Sequence, residues 1–212
     1  MTQRVRASRI FAGLPPHAAG QKIGLYGGSF NPAHAGHRQV SLLALKRLGL
    51  DQVWWLVSPG NPLKDVAGLP HLAVRMHRAA QVAAHPRIVV TGAEAVLRTR
   101  YTADFIRVIK QRAASVRFVW IMGSDNLLQF HHWESWREIA CSLPVAVVNR
   151  PGSLTAALSA RAGQALAKHR VDEADASTLA GRQPPAWVFL TGPRTAVSST
   201  ALRATGASVL KP

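Results

Sequence analysis

Acidic residues are scarce in this chain: 10 Asp and Glu stand against 26 Lys and Arg in 212 residues, a formal net charge of +16. Cysteine is rarer still. With Cys141 alone, an intramolecular disulfide and any paired-cysteine zinc or iron–sulfur centre are excluded, which fits a reducing cytoplasm. Cys141 itself reads as a small apolar filler. No stretch approaches the roughly 20 uninterrupted apolar residues that span a bilayer. The first twenty residues also lack the apolar block of a secretory signal. A soluble protein with no membrane partner is expected. Hydrophobic residues make up 48% of the chain, which excludes a disordered polypeptide and suits one domain, at most with a small lobe.

The excess of positive charge suits either nucleic acid or phosphorylated small anions, and charge alone does not choose between them. Arg75, Arg78, Arg87, Arg98, Arg100, Arg107 and Arg112 are scattered rather than blocked, which reads as a solvated surface. Recognised nucleic-acid motifs are absent, so binding of that kind is the lesser reading. Residues 1–20 are basic and free of acids. They suit an organelle transit peptide superficially and are read as a flexible leader before the domain at 21–212.

Short apolar runs alternate with amphipathic stretches. Strands are expected at 22–28, 52–58, 87–92, 116–123, 144–152 and 187–192, with helices from His37 to Leu48, over 71–84 and from Thr102 to Ala113. Near-continuous apolar strands separated by helices imply a parallel sheet covered on both faces, a doubly wound α/β fold of mostly parallel strands. The Ala-rich stretch 153–181 has few long apolar anchors and reads as a peripheral helix and a mobile connection. A small helical part is expected at the C-terminus.

In such sheets ligands bind beyond the carboxyl ends of the strands, where strand order reverses. The first strand is followed by Gly27-Gly28-Ser29-Phe30-Asn31-Pro32-Ala33-His34-Ala35-Gly36-His37. Two glycines let backbone N–H groups approach an anion, and a helix opening near Gly36 aims its positive end at the same place. His34 and His37, three residues apart, can both face that loop. The string is neither a P-loop nor a GxGxxG fingerprint. A zinc site is an alternative, but it lacks a nearby third ligand in the sequence. At the far end of the chain, Ser198-Ser199-Thr200 can cap a helix, and Arg203 lies one turn on.

The first string resembles the opening motif of the HxGH-type nucleotidylyltransferases, and Ser198 to Arg203 resembles their closing SSTxxR motif. From about residue 22 to 205 the chain looks like the nicotinate mononucleotide adenylyltransferase family. That resemblance implies a Rossmann-like nucleotidylyltransferase fold. It also implies ATP contacts at Gly27, Gly28, Ser29, Phe30, His34, His37, Gly123, Ser198, Ser199, Thr200 and Arg203. On that resemblance His34, His37 and Arg203 are expected to carry the catalysis, His37 most critically. The mononucleotide is assigned to Asn31, Lys64, Tyr101, Thr102, Asp125, Trp133 and Arg150.

The family motifs are matched by Pro59 to Lys64, Thr99 to Asp104, Gly123 to Leu127 with Phe130 and Trp133, and Asn149 to Gly152. Phe105 and Arg100 depart from the family pattern, in which threonine and a small residue are common. The implied reaction transfers the adenylyl group of ATP to nicotinate mononucleotide, giving nicotinate adenine dinucleotide and pyrophosphate, with nicotinamide mononucleotide or another phosphate monoester such as phosphopantetheine as the alternative acceptor. Magnesium is expected to accompany ATP, held by phosphates and water, so that no dedicated carboxylate cluster is required. Several of these residues also have plain readings. Trp133, Trp136 and Phe130 have the spacing of a packed helical face, which is kept for Trp136. Asp125 could cap a short helix, and Lys64 and Arg150 could be surface charges. His131 and His132 read as loop residues pointing in different directions. The oligomeric state is left open.

Overall fold

The six longer strands are apolar almost throughout because each is buried on both faces. The computed structural model describes residues 7–60, 68–149, 156 and 159–192. Among these residues the strands are β1 (Ile10–Phe11), β2 (Lys22–Gly28), β3 (Gln52–Val57), β4 (Ile88–Thr91), β5 (Arg117–Gly123), β6 (Val145–Val148), β7 (Arg170–Val171) and β8 (Trp187–Leu190). They form one sheet in the order β1-β4-β3-β2-β5-β6-β8-β7. Every registered pair is parallel. Parallel neighbours need crossover connections, and helices supply them: α1 (Ala35–Arg47), α2 (Leu72–Ala83), α3 (Ala93–Val96), α4 (Thr102–Arg112), α5 (Ser124–Gln129) and α6 (Trp136–Ser142).

The two-residue period of a strand divides the core into two layers. Val53, Trp55 and Val57 join Tyr26, Val90 and Ile121 on one face, under α1 and α2. Trp54 and Leu56 join Leu25, Val89 and Trp120 on the other, under α4 and α6. This is the doubly wound α/β fold. Strand order runs outward from β2 in both directions, through β3 and β4 on one side and β5 and β6 on the other. The topological switch point is therefore the β2/β5 boundary.

Two short strands lie outside the six expected runs. Ile10–Phe11, in the stretch that composition reads as a leader, pairs with Val90 and Thr91 at the sheet edge. The Ser8 hydroxyl and the His85 carbonyl also meet at 3.1 Å. The 153–181 stretch is not a peripheral helix with a mobile connection where it is described. A short helix at Arg161–Ala165 and 3-10 turns at Ala167–His169 and Glu173–Gly181 flank β7. Ala176, Leu179 and Ala180 are buried against the sheet. Small side chains let this segment approach closely without long anchors. Glu173 ties it down, accepting from Thr191 N–H at 2.9 Å and Thr191 Oγ1 at 2.8 Å and pairing with Arg47 at 3.1 Å.

Cys141 is exposed, not an apolar filler, because it faces outward from α6 while Ile139 and Ala140 turn inward. Trp136 is buried as a core residue and Phe105 is wholly buried beside it. His131 and His132 share a 3-10 turn, with ring centroids 3.9 Å apart rather than diverging. Among the described residues no helix is long and apolar enough to cross a membrane. The expected C-terminal helical part lies outside the described residues, with Lys64, Arg150, Ser198, Ser199, Thr200 and Arg203.

Candidate active site

The sheet opens at its switch point. β2 stays paired with β3 as far as Gly28↔Val57, but its register with β5 ends at Tyr26↔Ile121. β5 meanwhile stays with β6 to Gly123↔Val148. The strand ends Gly27-Gly28 and Met122-Gly123 thus part over a crevice. At Gly27 the close approach is literal: a Cβ there would sit 2.9 Å from the Trp120 ring. Such contact excludes a larger side chain.

Beyond β2 the chain turns sharply, with Phe30 at φ +47°. A non-glycine residue in the left-handed region costs on the order of 1 kcal/mol, and the surroundings must hold it there. They do so through rings: Phe30 stacks on Trp55 at 4.7 Å and 16°, and His37 lies 4.9 Å from Phe30. His34 occupies the N-cap of α1, where extended backbone angles precede the helix. Its N–H donates to His37 Nδ1 at 3.2 Å. A nitrogen that accepts carries no hydrogen, so in the neutral ring the His37 proton resides on Nε2, which is the donor of the pair. Both rings are buried, with centroids 3.9 Å apart. Beneath them, Ser41 Oγ donates to the His37 carbonyl at 2.9 Å and accepts from Trp55 Nε1 at 2.7 Å.

Arg75 overturns its reading as a solvated surface charge. It is 2% exposed, because the second helix places it, with Met76, on the inward face of α2. Its Nη1 donates to the Ser29 and Ser58 carbonyls, both at 2.8 Å, Nε to Pro70 at 2.8 Å and Nη2 to Pro59 at 3.3 Å. Burial pulls its pKa below the ordinary arginine value, yet arginine stays charged. The other six arginines singled out above are exposed.

The remaining candidates lie on the same carboxyl edge. Tyr101 caps α4 without a side-chain cap bond, and Thr102 begins the helix, so first-turn amides face that edge. Gly123, not Asp125, is the N-cap of α5, while Asp125 is exposed in its first turn. Trp133 is half-buried, edge-on to Phe130 at 5.5 Å and to Trp120 at 6.2 Å. Asn31 follows Phe30 in the loop, and Asn149 directly follows β6, its N–H bonded to the Leu190 carbonyl at 2.9 Å.

Glu94, which the sequence reading did not single out, begins α3 just past β4. Burial pushes its carboxyl up to about 7 from an ordinary 4.5. The folded state therefore holds this proton more tightly than the unfolded one. Its contribution to stability is complete below about pH 4.5 and is lost as pH rises through about 7, on the order of 3 kcal/mol. Glu94→Gln should remove that loss, so thermal melts should show the variant gaining on the wild type from acid to alkaline pH. Parallel pH profiles would refute the assignment.

Among the described residues no group of three His, Cys, Asp or Glu could hold a metal ion. His34 and His37 pair with each other at the loop without a third ligand among those residues.

Residues 25–205 match the family model described as cytidylyltransferase-like. A relative from Bradyrhizobium sp. (strain ORS 278), named probable nicotinate-nucleotide adenylyltransferase, is 59% identical over 182 residues, covering 86% of this chain and 95% of its own. One of the same name from Brucella suis biovar 1 (strain 1330) is 52% identical over 181 residues, 85% of this chain and 93% of its own. Among solved structures, Plasmodium falciparum nicotinic acid mononucleotide adenylyltransferase complexed with NaAD shares the fold, with TM-score 0.60 at 15% identity over 87% of this chain and 83% of that one.

Proposed function

This chain belongs to the cytidylyltransferase-like family, and on that premise we propose that it transfers the adenylyl group of ATP to nicotinate mononucleotide. The products are nicotinate adenine dinucleotide and pyrophosphate, a step of NAD biosynthesis. The observation that carries this reading is the crevice at the switch point, where the His37 Nε2 donor stands at the head of α1 beside the Gly27-Gly28 strand end. The names of relatives more than half identical to this chain supply the substrate class.

A phosphate oxygen of the mononucleotide attacks the α-phosphorus of ATP. The new P–O bond forms as the bond to the β-phosphate oxygen breaks, and the electron pair leaves on pyrophosphate. The second proton of a phosphate monoester is lost near pH 6, so the nucleophile is already anionic and no general base is required. The protein's task is to align two mutually repelling anions and to stabilise charge spreading onto the leaving group. Loop amides at 27–30, the α1 terminus, His34 and His37 are donors of the right type. Magnesium arriving with ATP supplies charge neutralisation on the triphosphate.

On the mononucleotide side we assign Asn31, Asp125, the α4 first turn at Tyr101 and Thr102, and the exposed side of Trp133. Lys64 and Arg150 are assigned there, and Ser198, Ser199, Thr200 and Arg203 to the triphosphate, on the family motifs alone.

The test is pyrophosphate release from magnesium and ATP with nicotinate mononucleotide, nicotinamide mononucleotide and phosphopantetheine as parallel acceptors. Preference for the first is expected, and Trp133→Ala should raise its KM severalfold, as loss of one aromatic stack does, while leaving KM for ATP unchanged. Preference for the amide or for phosphopantetheine would reassign the acceptor. Silence with all three from folded protein would remove the activity and revive nucleic-acid binding, recognisable by its steep salt dependence.

A further inference from the structure

We propose that Arg75 is a positioning residue for this site: a buried guanidinium that clamps the loops after β2 and β3 together and sets the orientation of the Ser29–Phe30 peptide. Four carbonyls from three chain segments converge on it, those of Ser29, of Ser58 and Pro59, and of Pro70. Only a planar fork of five donors can satisfy such an array; a lysine ammonium has three donors on one atom. The three segments are the loop after β2, the residues directly after β3 and Pro70 just before α2. One side chain thus ties the loop that carries Phe30 to the ends of β3 and of the segment entering α2.

The geometry has a direct consequence for the anion. The peptide joining Ser29 to Phe30 is trans, since the cis bonds among the described residues lie at Asn31-Pro32 and Pro184-Pro185. In a trans peptide C=O and N–H point in opposite directions. Because the Ser29 carbonyl is drawn down onto buried Arg75, the Phe30 N–H is turned outward, away from the guanidinium. The same bond braces Phe30 in its unfavourable positive φ. No carboxylate among the described residues pairs with Arg75. Carbonyl dipoles solvate the cation without cancelling its charge, so its field still favours anions over the loop.

The substrate part of this inference rests on the proposed adenylyl transfer, and the test keeps the two apart. Arg75→Lys, Arg75→Met and Arg75→Ala are compared with wild type in pyrophosphate release, ATP binding by calorimetry and circular dichroism. Folded variants are expected to lose about a hundredfold in kcat/KM, the scale of a misplaced reacting group, with weakened ATP binding. Methylguanidinium at non-denaturing concentration should recover part of the Arg75→Ala loss, and methylammonium should not. Wild-type kinetics in the folded Lys or Met variant, or equal recovery with methylammonium, would overturn the clamp.

Should every variant fail to fold, hydrogen exchange at the Phe30 amide of the wild type decides. Fast exchange slowed by magnesium and ATP supports the outward N–H, and protection without ligand overturns it. If wild type releases no pyrophosphate, the proposed activity fails, while ATP binding and Phe30 exchange still judge Arg75.

Discussion

His37→Ala should lower kcat for pyrophosphate release by about a hundredfold or more, the loss that follows removal of one transition-state donor, while the protein remains folded. The reason lies in the partner of its other nitrogen. His34 N–H donates to His37 Nδ1 at 3.2 Å, which leaves Nε2 as the donor and fixes the plane in which it points. The ring is 8% exposed, so its hydrogen bond to a phosphate oxygen would form in a largely water-excluded place, where it is worth more than in solution. His37→Gln, which keeps an N–H donor of similar reach, should recover part of the rate. Alanine also removes one acceptor from the α1 terminus, a stability loss of about 1 kcal/mol. Unchanged turnover in a folded His37→Ala protein would remove His37 from the reaction.

Trp55→Ala should cost about 3–5 kcal/mol of folding stability, the range for truncating a large buried aromatic, a sizeable share of the 5–15 kcal/mol that about bounds a domain. Trp55 is wholly buried in β3, one strand from the loop it supports. Its ring stacks on Phe30 at 4.7 Å, and its Nε1 donates to Ser41 Oγ at 2.7 Å. The loss should therefore reach the site as well. Without the stack, Phe30 loses a wall that holds its positive φ, and the KM for ATP should rise. Trp55→Phe retains much of the ring contact but not the hydrogen bond, so it should lose far less, about 1–2 kcal/mol. Urea unfolding of the three proteins checks the order. An alanine variant as stable as the phenylalanine one would show that the cavity collapses at no cost.

The features readable from the chain were those written in short-range spacing. Six apolar runs ending in glycine or serine marked strands buried on both faces, since a parallel sheet leaves no face for polar residues. His34 and His37 fell three residues apart at a strand end, and one turn of helix is enough to bring their rings together. The edge strand Ile10–Phe11 escaped because two apolar residues among arginines carry no period of their own. β7 and the alanine-rich 3-10 segment escaped because alanine packs by closeness, which depends on what lies opposite. Glu94 carries no spacing signal, and its raised pKa comes from desolvation alone.

Arg75 is the clearest division between the two kinds of information. In the sequence it is one basic residue among 26, with no carboxylate, glycine or aromatic neighbour to distinguish it. Its four acceptors lie up to 46 residues away, in loops that come together only once β2, β3 and α2 are assembled. The sequence alone determined the parallel α/β architecture and the motif at the first strand end, because helix and strand periods and a three-residue spacing act over a few ångströms of chain. Tertiary structure alone decided which arginine is buried, which way the Ser29–Phe30 peptide faces, and where β2 and β5 part, because each depends on contacts between segments that chain order keeps apart.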